Sequence, residues 1–470
     1  MAEAKAKTTL IFVPLPVLSH LLASIKLANL LTDRDDRLSI TILIIDLQLD
    51  NKISSHINNS PNSRVHFVQL QRDESDKSPK STLIQIVSSQ KSAVRAAAAA
   101  AVAGPEPVKL AGFIFDILCS SMMDVAAEFG APSYIFYTCG AAGIGLLFRI
   151  NELIRRRDRA LKEYEESDAE IPVTTFINPV PAKVWPAMAF GNEAGFLDLT
   201  DRLRSVSGIL VNTFLELEWH AIAALAGDGG APAVYPVGPL LQDEEEPADE
   251  AARRRRAEIL GWLDEQPESS VAFLCFGTNG YFDEAQVTEI ATALERSGRR
   301  FLWSLRKPPS KETGARIGEY GDPGEALPGG FLDRTAGIGR VIGWAPQMAV
   351  LSHRAVGGFV SHCGWNSILE SVSCGVPMAV WPMYAEQQTN AFQLVKELEI
   401  AVEIKMDYRK DAPKLVVADK IEKGIRELMD LDNKIHANVK ELKEKSKSAL
   451  MENGSSSNFV RSFIQNISNF

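Results

Sequence analysis

His362, Asn366 and Ser367 fall within six residues, directly after the apolar run Val356–Ser361. That run, VGGFVS, has the pattern of a buried parallel strand. Ile368–Val372 then starts a helical pattern with Glu370 in its first turns. A strand passing through a tight glycine turn into a helix aims unsatisfied N–H groups, and the positive end of the helix dipole, at one spot. An anion, most often phosphate, is the natural occupant. Asn366 and Ser367 add neutral donors and His362 a possible cation. A second strand, Pro377–Trp381, ends in Pro382-Met383-Tyr384-Ala385-Glu386-Gln387. It puts an acid and an amide at another strand-to-helix corner of the same sheet, where α/β proteins place ligands. Residue chemistry alone therefore gives a nucleotide or phosphate ligand at the carboxyl edge of a parallel sheet.

Proton transfer near neutral pH calls for histidine, whose reference pKa is about 6.5. His20 stands just after the strand-like run Thr8–Pro14, at the ligand edge of a first sheet. On its own a histidine there is more often a packed or capping residue. Asp116 ends the run GFIFD, where an Asp serves as a helix cap as readily as a partner for an imidazole.

These residues need two sheets to carry them. In the first half, Thr8–Pro14, Leu38–Ile45, Val65–Leu70, Leu110–Leu118, Ser133–Thr138, Val206–Thr213 and Val234–Pro239 read as strands. Helices are expected from His20, with Ser19 as its cap, and over Thr82–Val102, Ser121–Phe129 and Ala141–Tyr164. In the second half, Ser269–Gly277, Arg300–Leu305 and Gly339–Ile342 are strands. Asp283–Ser297, Ala391–Leu398, Val417–Met429 and Asn433–Leu450 are helices, and Asn458–Phe470 is a short amphipathic segment. Alternation of this kind means doubly wound parallel sheets. Gln242–Arg256 (QDEEEPADEAARRRR) is a charge block that reads as a solvated linker or helix start, and the domain boundary is placed there. The expected division is 1–241, a linker 242–256, a second domain 257–450, and a tail 451–470.

The 470 residues suit two domains of roughly 200–250 each. An apolar share of 46% supplies a large core. The net charge of −10 argues against a nucleic-acid-binding surface. The cysteines (Cys119, Cys139, Cys275, Cys363, Cys374) are odd in number and form no CxxC, which fits free thiols in a reducing compartment. No run reaches the roughly 18–20 apolar residues of a spanning helix. The polar start followed by a strand and a Pro-containing turn is not a signal peptide. A cytoplasmic location is the expectation.

The segment WAPQMAVLSHRAVGGFVSHCGWNSILESVSCGVPMAVWPMYAEQQ, beginning at Trp344, resembles the nucleotide-sugar signature box of plant family-1 UDP-sugar glycosyltransferases. Its elements occur in the family's order without gaps. Gly208–Glu218, Tyr235–Leu240, Trp262–Pro267 and Phe273–Gly277 are also family-like, so the likeness covers nearly the whole chain. It implies the GT-B fold: two Rossmann-like domains facing across a cleft, the tail helix returning to the first.

The resemblance also implies roles. Trp344 stacks on uracil, and Gln347 with its neighbour Ala345 reads the base edge. Glu370 accepts from the ribose hydroxyls. His362, Asn366 and Ser367 hold the diphosphate, joined by the hydroxyl of Thr278, where the family has Ser. Trp365, Glu386 and Gln387 meet the sugar, and the terminal Gln points to UDP-glucose. The family's catalytic histidine falls on His20 and its partner on Asp116. The family pattern P-x-P-G-x-G-H-L here reads Pro14-Leu15-Pro16-Val17-Leu18-Ser19-His20-Leu21, with both glycines replaced. Leu15, Val17, Tyr281 and Tyr384 are the expected acceptor contacts. The loss of the glycines is expected to narrow the turn beside the base, and with Asn279 and Tyr281 it suggests an unusual acceptor or bond.

The expected reaction is inverting transfer of glucose to a phenolic, flavonoid-like small molecule as a β-O-glycoside. No metal and no resident cofactor is expected, and no DxD-like cluster is evident. Carbon glycosylation of a polyphenol ring is the alternative, and a non-catalytic UDP-sugar binder a further one. A Rossmann oxidoreductase would need a GxGxxG after the first strand, and residues 14–21 contain no glycine. The expected partners are the acceptor and the UDP-sugar, with no nucleic acid, no membrane span and a monomeric chain.

Overall fold

The structure, a computed structural model, describes residues 8–45, 62–70, 83–103, 108–157, 161–165, 167–241, 249–310 and 317–468. Two units divide the chain. The first gathers Met1–Asp158, Asn192–Gln242 and Ser448–Phe470, and the second Arg159–Gly191 and Asp243–Lys447.

The first unit is built on a seven-stranded sheet. Its strands are β1 (Thr8–Val13), β2 (Leu38–Ile45), β3 (Val65–Leu70), β4 (Lys109–Asp116), β5 (Ser133–Tyr137), β6 (Gly208–Val211) and β7 (Val234–Pro236). They lie in the order β3-β2-β1-β4-β5-β6-β7, every pairing parallel. Sequences such as LSITILII are aliphatic and β-branched apart from Ser39, as strands covered on both faces require. The terminal helix Ser455–Ser468 packs Val460, Phe463, Ile464 and Ile467 into this core. Phe463 meets Tyr134 and Tyr235 edge-on at 5.1 and 5.4 Å. Each such side chain contributes about 1.5–3 kcal/mol by leaving water.

The helix after β1, α1 (Leu18–Arg34), starts two residues before His20. Its N-cap is Val17, with no side-chain bond to the helix, so the expected Ser19 cap does not form. Val17 has φ −119° and ψ 134°. No residue from 14 to 21 takes a positive φ, so Val17 and Ser19 replace glycine without backbone strain. The helix expected over 141–164 ends early: α2 spans Ala141–Arg156 and Arg157 turns left-handed at φ 54°. Its apolar stripe runs out at Ile154, and Arg155 to Arg157 have nothing to bury. The helix expected over 82–102 is two, Leu83–Ser89 and Lys91–Val102, broken at Gln90. There the Ser89 hydroxyl turns back to donate to the Ile86 carbonyl.

The second unit repeats the plan with six strands. These are β8 (Val271–Cys275), β9 (Arg300–Ser304), β10 (Gly339–Ile342), β11 (Val356–Ser361), β12 (Met378–Val380) and β13 (Ala401–Glu403), ordered β10-β9-β8-β11-β12-β13 and all parallel. A helix, α3 (Glu250–Asp264), precedes them, so the second part of the expected linker is helical. Asp249 caps it by accepting from the Ala251 N–H, and Arg254 pairs with Glu258 at 3.0 Å. Residues 242–248 lie outside the described residues.

One segment differs from the sequence expectation. Residues 159–191, placed in the first domain on sequence grounds, pack with the second unit. Trp185 is fully buried there, stacked on Tyr164 at 5.2 Å and Phe190 at 6.1 Å. The Arg409 guanidinium donates to the Lys183 and Trp185 carbonyls at 3.2 and 2.8 Å, and Thr389 Oγ1 donates to the Val184 carbonyl at 2.7 Å. The Ile177 and Asn178 N–H groups donate to the Glu397 carboxylate at 2.7 and 2.9 Å. These anchors come from side chains more than two hundred residues downstream, which no local pattern announces.

Candidate functional site

In open parallel sheets the ligand crevice forms where the strand order reverses, since loops there leave in opposite directions. In the first unit that point lies between β1 and β4, where Val13 sits beside Phe115. His20, in the first turn of α1, and Asp116, the last residue of β4, leave it from either side. His20 Nδ1 lies 2.7 Å from Asp116 Oδ2. Asp116 is buried and its other oxygen accepts from the Leu118 N–H at 2.9 Å, so the carboxylate is held at both ends. Thr138 Oγ1 lies 3.1 Å from the same ring nitrogen. The His20 side chain keeps a quarter of its surface exposed. An Nδ1–H donated to a carboxylate leaves the lone pair on Nε2, the state of a general base.

The second unit's reversal falls between β8 and β11, with Cys275 beside Ser361. Beyond β11, Cys363 adopts φ 62° and Gly364 opens helix α4 (Trp365–Cys374). Beyond β8, Gly277 adopts φ 73°. A Cβ on Gly277 would sit 2.6 Å from His362 Nε2, and one on Gly364 2.7 Å from it. The imidazole thus lies between two backbone turns that only glycine allows. His362 is buried and its Nδ1 has no partner among the described residues. Burial pushes its pKa down to about 4, so the ring is neutral at pH 7 and is not the possible cation that its residue type suggested. The anion-attracting elements left are the α4 N-terminus, the Asn366 amide and the Ser367 hydroxyl. Thr278 lies exposed on the loop after β8.

One turn along α4, Glu370 is buried and its pKa is pushed up by that burial to about 7. Gln347 Nε2 donates to Glu370 Oε2 at 2.7 Å and to Ser367 Oγ at 2.8 Å, tying base-edge and ribose candidates into one network. Trp344, preceding them, is about half exposed (48%), as a stacking platform must be, while Ala345 is buried. The Trp344 backbone N–H donates to Glu319 Oε1 at 3.1 Å.

At the corner after β12, Ala385 is left-handed at φ 57°, and Glu386 precedes helix α5 (Gln387–Phe392). Gln387 Oε1 accepts from the Met383 and Tyr384 N–H groups at 2.9 and 3.1 Å. The Gln387 side chain also hydrogen-bonds that of Tyr384. Trp365 is buried in the first turn of α4.

The structure brings His20 to Asp116 in one unit, and gathers His362, Trp365, Asn366, Ser367, Glu370 and Gln347 along the α4 edge of the other. Of the expected acceptor contacts, Leu15 is buried, while Val17, Tyr281 and Tyr384 are half-buried. Two site residues were missed. Thr138 ends a strand and looks like any threonine in sequence. Asn390 bridges two corners, donating to the Cys363 carbonyl at 3.0 Å and lying 3.4 Å from Glu386 Oε1. Its only sequence signal is an amide one helical turn after Glu386. Among the described residues no group of three or more His, Cys, Asp or Glu is set to hold a metal ion, and no helix is long and apolar enough to cross a membrane.

Residues 251–436 match the family model described as "UDP-glucoronosyl and UDP-glucosyl transferase". The chain is 47% identical to "UDP-glucose flavonoid 3-O-glucosyltransferase 6" of Fragaria ananassa, over 98% of this chain and 99% of the relative. Among solved structures, a glycosyltransferase of Siraitia grosvenorii in complex with UDP superposes with TM-score 0.90 at 42% identity, covering 98% of this chain and all of the other. Medicago truncatula UGT71G1, complexed with UDP-glucose, gives 0.85 at 37%, covering both chains in full.

Proposed function

Because the chain belongs to the UDP-glucuronosyl and UDP-glucosyl transferase family, and is a UDP-glycosyltransferase of the plant type with GT-B relatives, we propose that it moves glucose from UDP-glucose to a phenolic hydroxyl of a flavonoid-like acceptor. The observation that carries the chemistry is the 2.7 Å contact of His20 Nδ1 with a buried Asp116. His20 Nε2 takes the acceptor proton. Asp116 fixes the tautomer and stabilises the imidazolium that forms. The phenolate oxygen attacks the anomeric carbon from the face opposite the diphosphate, the C–O bond to UDP breaks, and an α-linked donor gives a β-glycoside. Negative charge growing on the leaving UDP is met by the α4 N-terminus with Asn366 and Ser367. A neutral His362 donates a single hydrogen bond and adds no cation.

Trp344 carries the uracil, Gln347 and Ala345 face its edge, Glu370 takes the ribose hydroxyls, and Trp365, Glu386 and Gln387 hold the sugar. Thr278 reaches a phosphate oxygen. Val17, Tyr281 and Tyr384 border the acceptor. The enzyme works in the cytoplasm as a monomer without a metal or resident cofactor. Mass spectrometry after incubation with UDP-glucose and a phenolic panel tests the reading: a product heavier by one hexosyl unit, labile to acid, is expected. An acid-stable hexosyl product removes the oxygen-linked bond.

Glu370 gives the donor site a pH dependence of known sign. Its folded pKa of about 7 lies above the reference 4.5, so the native chain keeps a proton between those values that the unfolded chain has lost. Stability from this group therefore falls as pH rises from about 4.5 to about 7. The ionised form costs the ligand-free protein on the order of 3 kcal/mol above that window. Ribose hydroxyls donate to the ionised carboxylate, so UDP-glucose should bind more weakly as pH falls below 7. Titration calorimetry at pH 5.5 and 8 should show that slope in the wild type and a flat response in Glu370→Gln. Parallel slopes in both proteins would discard the assignment. The variant's melting temperature should also gain more at pH 8 than at pH 5.

A further inference from the structure

Tyr408, Arg409 and Lys410 are consecutive, and each bonds a different element around the corner that carries Glu386 and Gln387. The Tyr408 carbonyl accepts from Gln388 Nε2, on α5, at 2.7 Å. Arg409 holds the carbonyls of Lys183 and Trp185. The Ala187 N–H of that same segment donates to the carbonyl of left-handed Ala385 at 3.2 Å. Lys410 faces the loop after β8. Its ammonium donates to the Asn279 carbonyl at 2.7 Å and lies 3.8 Å from the Tyr281 ring centroid and 5.8 Å from that of Tyr384. Its own N–H donates to the Met383 carbonyl at 2.9 Å. One residue therefore spans from the Thr278-bearing loop to the Tyr384–Gln387 corner.

The chemistry of this link is selective. A half-buried ammonium over an aromatic face gains cation–π attraction, strengthened by partial removal from water. Burial lowers the Lys410 pKa and raises that of the Tyr384 hydroxyl, so both sit in a partly dry wall. Asn279 and Tyr281 are where this chain departs from the small or apolar choices of the family it resembles. Lys410 supplies the partner for the Tyr281 ring, while the Asn279 side chain bonds that of Tyr384. A neutral stem of the same length could fill the space but would take the ammonium from the Asn279 carbonyl, leaving the Asn279–Tyr384 side-chain bond to hold the loop alone.

We infer that Lys410 is a positioning residue that latches the 277–281 loop to the Glu386–Gln387 corner and so sets discrimination among donor sugars, an inference that rests on this corner receiving the sugar. The latch grips the loop at Asn279 and Tyr281, past Gly277 and Thr278, so it acts on the part of the donor beyond the β-phosphate. Its loss should therefore separate UDP-glucose from UDP itself.

The test compares wild type with Lys410→Met and Lys410→Arg, measuring KM and kcat for UDP-glucose and UDP-galactose and the dissociation constant of UDP. In Lys410→Met, KM for UDP-glucose should rise about tenfold, the scale of one charge-assisted hydrogen bond, with UDP affinity within about twofold. Preference for glucose over its C4 epimer should shrink, and Lys410→Arg should restore most of both. Unchanged KM and epimer preference in Lys410→Met would overturn the latch. So would equal loss of UDP and UDP-glucose affinity together with a lowered melting temperature, since that marks a residue holding only the fold. Wild-type enzyme that fails to turn over UDP-glucose would remove the donor assignment itself, and the latch with it.

Discussion

Replacing His20 with Ala lowers kcat/KM by about a hundredfold to ten-thousandfold, the span general-base catalysis covers, while UDP binding is unchanged. The separation follows from position. His20 and its partners Asp116 and Thr138 all belong to the first unit, and the nucleotide candidates to the second. Asp116→Asn should lose activity on a similar scale for a different reason. An amide of the same shape can donate to Nδ1, which moves the ring proton to Nε2 and removes the lone pair the acceptor needs. Its deficit should shrink as pH rises, once the phenol ionises without help, whereas a variant that is merely misfolded gains nothing. Full activity in His20→Ala would end the base assignment.

A single methyl should do comparable damage on the other side. Gly277→Ala places its Cβ 2.6 Å from His362 Nε2 and 2.8 Å from Cε1, on a backbone at φ 73°. The ring is buried and cannot swing away, and the left-handed conformation itself costs a non-glycine residue about 1–2 kcal/mol. Both UDP and UDP-glucose should bind roughly a hundredfold more weakly, equivalent to about 2.7 kcal/mol. Gly298→Ala is the matched control. Gly298 has φ 61° but no atom within 4 Å of the added methyl, so it should lose stability and keep affinity. If Gly277→Ala binds UDP as the wild type does, the cradle around His362 is not where the diphosphate sits.

The parallel sheets and most of their strands were legible because buried strands carry near-continuous apolar runs, and a strand-to-helix glycine turn announces its anion preference locally; the three-residue edge strand Ala401–Glu403 was not, being too short to carry such a run. The α4 corner is a local object in that sense, and its residues read directly. What could not be read depends on distance in sequence. Thr138 touches His20 across 118 positions, and nothing in YTCG marks that threonine from another. His362 reads as a cation in sequence because its type is visible and its burial is not. The end of α2 at Arg156 was misjudged because helix propensity stays high through an arginine run, while the apolar face that stabilises it has already ended. Ser19 looked like a cap, but Val17 already has the extended conformation from which the helix departs.

The attachment of residues 159–191 to the second unit has a practical corollary for anyone recombining these enzymes. A chimaera joined once, near position 242, would graft one parent's Lys183–Trp185 carbonyls onto another parent's Arg409 and Thr389. Any mismatch there would reach Ala385 through the Ala187 N–H, and with it the corner that carries Glu386 and Gln387. Exchanges that carry both stretches together should keep the donor preference of the parent that supplied them, and exchanges at the single midpoint should blur it.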